Sequence, residues 1–268
     1  MEIAGIATLE TIFIEDDKTL LDAVEIMVEN NIRRLPVLDS MGQITGMITV
    51  KDIISVLAEE NLPTVLSIPV QEFMSSRPIV IDARASVQEA VNLMDRNNVG
   101  ALLLVTDQQG TLGGIVTERD IVKHFAGSLA DASLEEFFTS NVITIEPTKS
   151  IKHAIKSMAH NKIRRLVVSS DHETVEGILT ASDILKVLYQ RRESLLEKDS
   201  TLLEVKVSEI ATTPVITAER TASVKEIVNL MMGENIGAVP ITSSEKLVGI
   251  FTEKDLLRMI SMYNLLPE

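Results

Sequence analysis

A Thr-x-x-Asp pattern recurs four times along the chain, each time after a short apolar segment. The pairs are Thr49 with Asp52, Thr117 with Asp120, Thr180 with Asp183, and Thr252 with Asp255. A threonine followed three residues later by an acid is typical of a helix start, where the two residues cap each other's backbone N–H groups. A carboxylate in that position can also accept hydrogen bonds from the hydroxyl groups of a ligand. Capping alone and ligand binding both stay open at this point, and the two are compatible.

The sequence contains no recognisable catalytic or metal-binding motif. Its four histidines form no H-x-x-x-H or H-E-x-x-H pair, so a metal site is not predicted. The patterns G-x-S-x-G, G-x-x-x-x-G-K-[ST] and G-x-G-x-x-G do not occur. The lack of cysteine excludes disulfides, thiolate zinc sites and a cysteine nucleophile, and it suits a reducing cytosol. We therefore predict that the chain is not an enzyme and requires no cofactor.

The elements that would hold these motifs repeat with them. An apolar pattern of helical period begins after Thr19, Ser86, Ser150 and Ser223. The first, second and fourth of these are followed at the third position by Asp22, Glu89 and Glu226, as in a capping box. A short β-rich segment precedes each helix, at 11–14, 78–81, 142–145 and 214–217, and two strands joined by a turn follow it. The motif then opens a closing helix.

This order predicts an α/β fold of four β-α-β-β-α repeats, at residues 1–60, 70–127, 136–192 and 206–263. Each repeat is too small to bury its sheet well by itself, so pairing of repeats is expected. The first helices carry methionines at matching positions, Met27, Met94, Met158 and Met231, which indicates packing and not a metal or redox site.

Several segments resemble the cystathionine β-synthase (CBS) domain family. The resemblance rests on "IRRLPVLD" at 32–39, "GMITVKDI" at 46–53 and "GGIVTERDIV" at 113–122, and it covers almost the whole chain as four CBS repeats. Because repeats 1 and 3 share "IRRL" whereas repeats 2 and 4 share "GA" at the same place, the chain is similar to a duplicated pair. The resemblance implies two modules, at 1–127 and 136–263, packed as a flat disc. It also implies adenosine-containing ligands whose binding changes the shape of each module.

The resemblance assigns a ribose to each motif aspartate and threonine, and an apolar adenine site beside it. The assigned apolar sets are Met47, Ile79 and Val80 for Asp52; Ile115, Ile12 and Phe13 for Asp120; Ile178, Val215 and Ile216 for Asp183; and Ile250, Ile143 and Thr144 for Asp255. Plain core packing is the alternative interpretation of these side chains.

A basic pair distinguishes the odd-numbered repeats from the even-numbered ones. Repeats 1 and 3 carry Arg33–Arg34 and Arg164–Arg165, where repeats 2 and 4 carry Gly100–Ala101 and Gly237–Ala238. The resemblance points to Arg33 and Arg164 as phosphate ligands, with Arg119 and Lys254 near the same phosphates. The sites of Asp52 and Asp183 are therefore expected to prefer phosphorylated ligands, whereas those of Asp120 and Asp255 are expected to bind ligand weakly or to stay empty. Surface residues flanking a strand are the alternative interpretation of the arginines.

The net charge and the apolar runs limit the classes of function that the chain can have. The net charge of −14 opposes binding to nucleic acid or anionic lipid. The N-terminal "MEIAGIATLE" lacks the features of a signal peptide, and apolar runs are far shorter than a membrane helix needs. We predict a cytoplasmic regulatory protein that senses AMP, ADP, ATP or S-adenosylmethionine and acts on an unidentified protein partner. A nucleic-acid-binding regulator and a scaffold with vestigial sites are the alternatives, and homodimer formation is left open.

Overall fold

The structure is a computed structural model, which describes residues 1–59, 64–107, 110–128, 133–134, 137–193 and 203–263. Parts of the predicted connections between repeats, at 58–70, 126–135 and 189–206, lie outside these residues. So does the centre of the predicted turn at 107–110. None of the helices in these ranges is long and apolar enough to span a lipid bilayer.

The predicted order of strand, helix, strand, strand, helix is confirmed in every repeat, and the fold is α/β. Repeat 1 contains β1 (Ile14–Glu15), α1 (Leu20–Glu29), β2 (Arg34–Leu38), β3 (Ile44–Thr49) and α2 (Val50–Glu59). Repeat 2 contains β4 (Val80–Asp82), α3 (Val87–Asn97), β5 (Ala101–Val105), β6 (Leu112–Thr117) and α4 (Glu118–Phe125). Repeat 3 contains β7 (Thr144–Ile145), α5 (Ile151–His160), β8 (Arg165–Val168), β9 (Gly177–Thr180) and α6 (Ala181–Gln190). After the short α7 (Val207–Ile210), repeat 4 contains β10 (Ala218–Glu219), α8 (Val224–Gly233), β11 (Ala238–Ser243), β12 (Lys246–Thr252) and α9 (Glu253–Tyr263).

Each repeat builds its own three-stranded sheet. The leading strand pairs in parallel with the middle strand, and the middle strand pairs antiparallel with the third, so the order in the first sheet is β1-β2-β3. The leading strands are shorter than predicted and begin later, at Ile14, Val80, Thr144 and Ala218. Only two or three residues of each leading strand pair with the sheet.

Capping explains where the first helix of each repeat begins. The predicted capping boxes of Thr19 with Asp22, Ser86 with Glu89, and Ser223 with Glu226 are all present. Helix α5 is the exception, since the side chain of Ser150 makes no cap hydrogen bond to the backbone and instead lies 3.0 Å from Nδ1 of His153.

Segments that lead into the repeats cross over to a neighbouring repeat. Isolated bridges join Thr8 to Ile115, Ser75 to Met47, Thr139 to Ile250, and Thr212 to Ile178. The leading segment of repeat 1 therefore lies on the third strand of repeat 2, and the leading segment of repeat 2 lies on the third strand of repeat 1. Repeats 3 and 4 exchange their leading segments in the same way.

The glycine three residues before each motif threonine makes room for these crossings. A Cβ on Gly46 would lie 2.8 Å from the carbonyl oxygen of Ser75, and one on Gly114 would lie 3.0 Å from that of Thr8. Backbone cannot give way as a flexible side chain can, so a glycine is needed where the crossing segment meets the strand.

The chain divides into two compact units that combine alternate repeats. The odd unit contains Ile12–Pro78 and Ile143–Val215, and therefore most of repeats 1 and 3. The even unit contains Met1–Thr11, Ile79–Val142 and Ile216–Glu268, and therefore repeats 2 and 4. In the odd unit α1 packs on α6, and α2 packs on α5 and α6; in the even unit α3 and α4 pack on α9. The predicted modules of consecutive repeats, and their packing into a disc, stay predictions.

Each unit has its own aliphatic core. Met27 and Met158 lie in the core of the odd unit, and Met94 and Met231 lie in that of the even unit. All four are buried. The packing role predicted for the methionines is confirmed.

Candidate functional site

The four motifs form the same hydrogen-bonded turn at the start of a helix. In each, the backbone N–H and the hydroxyl of the threonine both donate to Oδ2 of the aspartate, at 2.6–2.9 Å. The N–H of the aspartate approaches the threonine Oγ1 at 3.3–3.4 Å. The capping interpretation is confirmed for every motif. The cap uses one carboxylate oxygen and leaves the other available for further contacts.

The second carboxylate oxygen, Oδ1, differs among the repeats. Within the described ranges no donor reaches Oδ1 of Asp52 or Asp120, and both residues are partly exposed. Oδ1 of Asp183 lies 3.6 Å from Nζ of Lys186, a lysine whose side chain is half exposed. In these three repeats the helix start therefore presents a carboxylate oxygen that can accept a hydrogen bond from a ligand.

Asp255 is enclosed more fully than the other motif aspartates. It is buried, and the hydroxyl of Thr139 approaches its Oδ1 at 3.4 Å. Burial raises the pKa of Asp255 above its ordinary value, and the hydrogen bonds from Thr252 oppose that rise. Both carboxylate oxygens thus have protein donors, and a ligand hydroxyl would have to displace Thr139.

The apolar residues predicted for adenine fall into two classes. Those on the third strands pack inward: Met47, Ile115 and Ile250 are buried, and Ile178 is partly buried. Those on or before the leading strands are more open. Ile12, Phe13 and Val80 are exposed, whereas Ile79, Ile143, Thr144, Val215 and Ile216 are partly buried. Every predicted site combines residues of both units, so these groupings stay predictions.

The arginine pairs flank the motif turns of the odd unit. Arg34 lies opposite Thr49 in the sheet, and Arg165 lies opposite Thr180. The preceding residue, Arg33, accepts a hydrogen bond at its carbonyl oxygen from the N–H of Val50, the first residue of α2. Each arginine pair is thus adjacent to a motif helix start.

Two buried glutamates near the even motifs were not predicted. Glu118 and Glu253 follow the motif threonines and are 3% and 1% exposed. A Cβ added to Gly100 would lie 2.9 Å from the carboxylate of Glu118, and one added to Gly237 would lie 2.9 Å from that of Glu253. The co-occurrence of glycine at one position with glutamate at the other was visible in the sequence and could have revealed them.

The cations that precede Asp120 and Asp255 reach across the even unit. Nε of Arg119 lies 2.5 Å from Oε1 of Glu253, and its Nη1 lies 2.7 Å from Oδ1 of Asn235. Lys254 makes the corresponding contact from repeat 4 to repeat 2, where its Nζ donates to Oδ1 of Asn98. Repeats 2 and 4 are therefore joined by polar contacts at their motif helices. A phosphate role for Arg119 and Lys254 stays a prediction.

The described residues contain no group of three His, Asp or Glu side chains that could hold a metal ion.

The CBS domain family model matches residues 3–59, 70–127, 134–190 and 207–262. The chain belongs to the CBS domain family. Pairs of CBS domains are in general regulatory sensors of adenosine-containing ligands, and proteins built only of CBS domains are usually not catalytic.

Similar proteins match most of the length of this chain. The uncharacterized protein MJ1225 of Methanocaldococcus jannaschii is 28% identical over 278 residues, which cover 96% of this chain and 97% of MJ1225. The crystal structure of MJ1225, proposed as an archaeal homologue of g-AMPK, has a TM-score of 0.87 and covers 97% of this chain and 100% of that one. An uncharacterized 33.4 kDa protein in the ribosomal RNA operon of Thermofilum pendens is 29% identical over 255 residues, which cover 89% of this chain and 84% of the relative.

Proposed function

We propose that this CBS protein is a regulatory sensor of adenine nucleotides that transmits ligand occupancy to a protein partner. The proposed ligand is AMP, ADP or ATP, with S-adenosylmethionine as the other adenosine ligand to be tested. Its ribose would bind at Asp52 and Asp183, and its phosphate beside Arg33 and Arg164.

One observation carries the proposal. The motif cap takes up Oδ2 of the aspartate and leaves Oδ1 of Asp52 without a donor in the described part of the chain. An ionised carboxylate that is partly buried and lacks a donor is a strong acceptor for a ligand hydroxyl. The cap also fixes the orientation of the carboxylate before a ligand arrives, which lowers the entropic cost of binding.

The direction of Arg33 favours a phosphate near the same helix start. Gly100 occupies the equivalent position of repeat 2, and a Cβ there would point at Glu118, the first residue of α4. By equivalence of the repeats, Arg33 leaves the backbone toward the start of α2. A guanidinium beside a helix N-terminus is well suited to a phosphate.

The similarity to MJ1225 supports the choice of an adenine nucleotide, because that protein has been proposed as a homologue of g-AMPK and is matched over its whole length. We also propose that the protein acts on a protein partner and that it is located in the cytoplasm.

The proposal is tested by thermal unfolding followed by circular dichroism. A ligand bound only by the folded state adds about 2.7 kcal/mol at a hundredfold excess over Kd. Millimolar AMP or ATP should therefore raise the melting temperature by several degrees. The double variant Asp52→Ala, Asp183→Ala should lose most of that rise, measured against its own ligand-free melting temperature.

Asp22→Ala is the matched control. Asp22 closes the same kind of cap with Thr19, at 2.7 and 2.8 Å, but it lies in the first helix of repeat 1 and outside the proposed site. This variant should lose the cap and keep the ligand-induced rise. An unchanged rise in the double variant would contradict the assignment of the ribose to the motif aspartates.

A further inference from the structure

Two sequence positions change together between the odd and even repeats. Repeats 1 and 3 combine arginine with a small or apolar residue: Arg33 with Val50, and Arg164 with Ala181. Repeats 2 and 4 combine glycine with glutamate: Gly100 with Glu118, and Gly237 with Glu253. In every repeat the N–H of the second residue donates to the carbonyl oxygen of the first, at 2.8–3.3 Å. The two positions are therefore neighbours in all four repeats, and the second position borders the space beside the first.

In the even repeats a carboxylate fills that space. Any side chain at Gly100 would begin 2.9 Å from the Glu118 carboxylate, closer than a Cβ normally comes to another atom. Gly237 and Glu253 stand in the same relation. The glutamate carboxylate thus lies where the side chain of an arginine at the glycine position would begin. At this place beside the motif helix, the even repeats carry an anion, whereas the odd repeats carry an arginine.

These carboxylates are part of the interior and lie close to the motif aspartates along the chain. Glu118 and Glu253 are 3% and 1% exposed, and each is the first residue of a motif helix, two residues before Asp120 or Asp255. A phosphate placed at such a helix start would approach a buried carboxylate where water screens the repulsion poorly. Like charges brought together in this way weaken binding by roughly a hundredfold or more.

The nearby cation does not reverse this effect. Arg119 is held by Glu253 and Asn235, with Nε 2.5 Å from the Glu253 carboxylate. A phosphate that recruited Arg119 would take it away from Glu253, whose carboxylate is 1% exposed. Removing a cation from a buried anion is unfavourable, so Arg119 would offer little net attraction to a phosphate.

We propose that Glu118 and Glu253 set the ligand preference of the even repeats: they exclude phosphate, so that these repeats accept adenosine ligands whose 5′ group carries no net negative charge. The inference rests on the proposed function, because it takes the motif aspartates to bind ribose. Uncharged adenosine satisfies this charge requirement, and S-adenosylmethionine satisfies it as a net charge, because its sulfonium and ammonium groups outweigh its carboxylate. The odd repeats, with arginine in place of the carboxylate, keep the phosphorylated ligands.

Sequential calorimetric titration of the full chain tests whether phosphorylated ligands bind the odd repeats and adenosine binds the even repeats. AMP should bind with a stoichiometry of about two per chain, the number of repeats that carry arginine at this position. Adenosine added to AMP-saturated protein should then still bind with measurable heat. AMP binding in more than two repeats, or an AMP-saturated protein that takes up no adenosine, would overturn the inference while leaving the proposed function standing. If neither AMP nor adenosine binds, the proposed function itself fails.

Glu118→Gln provides a variant test with little change of shape. The amide fills the same space beside Gly100 but carries no charge, so AMP should gain affinity for repeat 2 by at least about tenfold, and adenosine should change less than about twofold. Glu89→Gln is the matched control, since it removes the same charge from an exposed position of the same repeat. Equal effects of the two variants on AMP would contradict the role of Glu118. Should Glu118→Gln fail to fold, the titration of the unaltered chain still decides the question.

Discussion

Arg119 in repeat 2 donates to Glu253 in repeat 4, with 2.5 Å between Nε and Oε1. The carboxylate is 1% exposed and the guanidinium side chain 22%. A second hydrogen bond, from Nη1 to Oδ1 of Asn235, fixes the guanidinium against the same repeat. Because the pair is largely removed from water, its two members depend on each other far more than an exposed ion pair would. The pair joins the two repeats of the even unit.

Replacing Arg119 with alanine should lower the free energy of unfolding by about 3 kcal/mol, because a buried carboxylate loses its nearest cation. Urea unfolding at neutral pH measures the loss. Lys51, which is exposed at the same motif position of repeat 1, supplies the control. Lys51→Ala should change stability by less than about 0.5 kcal/mol, and equal losses in the two variants would refute the structural role of the pair.

Replacing Gly46 with alanine should destabilise the odd unit by about 1–3 kcal/mol through overpacking. The added Cβ would lie 2.3 Å from Sδ of Met74 and 2.8 Å from the carbonyl oxygen of Ser75. Gly233, the last residue of α8, has no atom within 4 Å of such a Cβ. Gly233→Ala should therefore leave stability unchanged or raise it by up to about 1 kcal/mol. Comparable denaturation midpoints for both variants would contradict the crossing at Gly46.

Replacing His153 with glutamate should stabilise repeat 3 by about 0.5–1 kcal/mol. His153 occupies the third position of α5, where the other repeats carry an acid that closes a capping box. Glu89→His makes the opposite change in repeat 2 and should cost a similar amount. Thermal unfolding of both variants checks the pair, and the same sign of change in both would show that the cap is not responsible.

Asp255 should give the protein a distinct pH dependence. Its folded-state pKa is raised above 3.8 by burial, so between 3.8 and the raised value the folded protein binds more protons than the unfolded chain. The contribution of Asp255 to stability is therefore present at low pH and falls as the pH rises through that window. The difference in the free energy of unfolding between the parent protein and Asp255→Asn should decrease over this window and level off above it.

The contribution of Asp82 to stability should change with pH in the opposite direction to that of Asp255. Hydrogen bonds from Arg84 lower the pKa of Asp82 from 3.8 to about 2, so its contribution is present above 3.8 and lost as the pH falls toward 2. Urea titrations at a series of pH values should show opposite slopes for Asp82→Asn and Asp255→Asn. A slope of the same sign for both would mean that burial does not raise the pKa of Asp255.

The features predicted well from the sequence were those decided by neighbouring residues. The cap of Thr19 with Asp22 needs only a spacing of three residues, and the motif caps follow the same rule. The buried position of Glu118 was missed because a charged residue at a helix start is ordinarily taken to be solvated. The glycine at position 100 is the matching signal, because any side chain there would meet the Glu118 carboxylate.

The crossing segments could not be predicted from neighbouring residues, because the contacts involve residues far apart along the chain. A glycine within a strand, such as Gly46, indicates that something approaches closely, but it does not say what. The approaching group is the backbone of Ser75, which follows α2 and a further connection along the chain.

The exchange of leading segments limits how such a gene could have been assembled. A single excised repeat, residues 1–60, would keep Thr8, which lies on repeat 2, and would lack Ser75, which covers its own Gly46. A consecutive pair contains both of its crossings, and so does the second pair, through Thr139 and Thr212. Copying a whole pair therefore reproduces both crossings, although its helices still need those of the other pair to complete the two cores. Inserting or deleting one repeat leaves a leading segment without its strand and a third strand without its covering segment. Viable descendants of this architecture should differ in length by two repeats at a time.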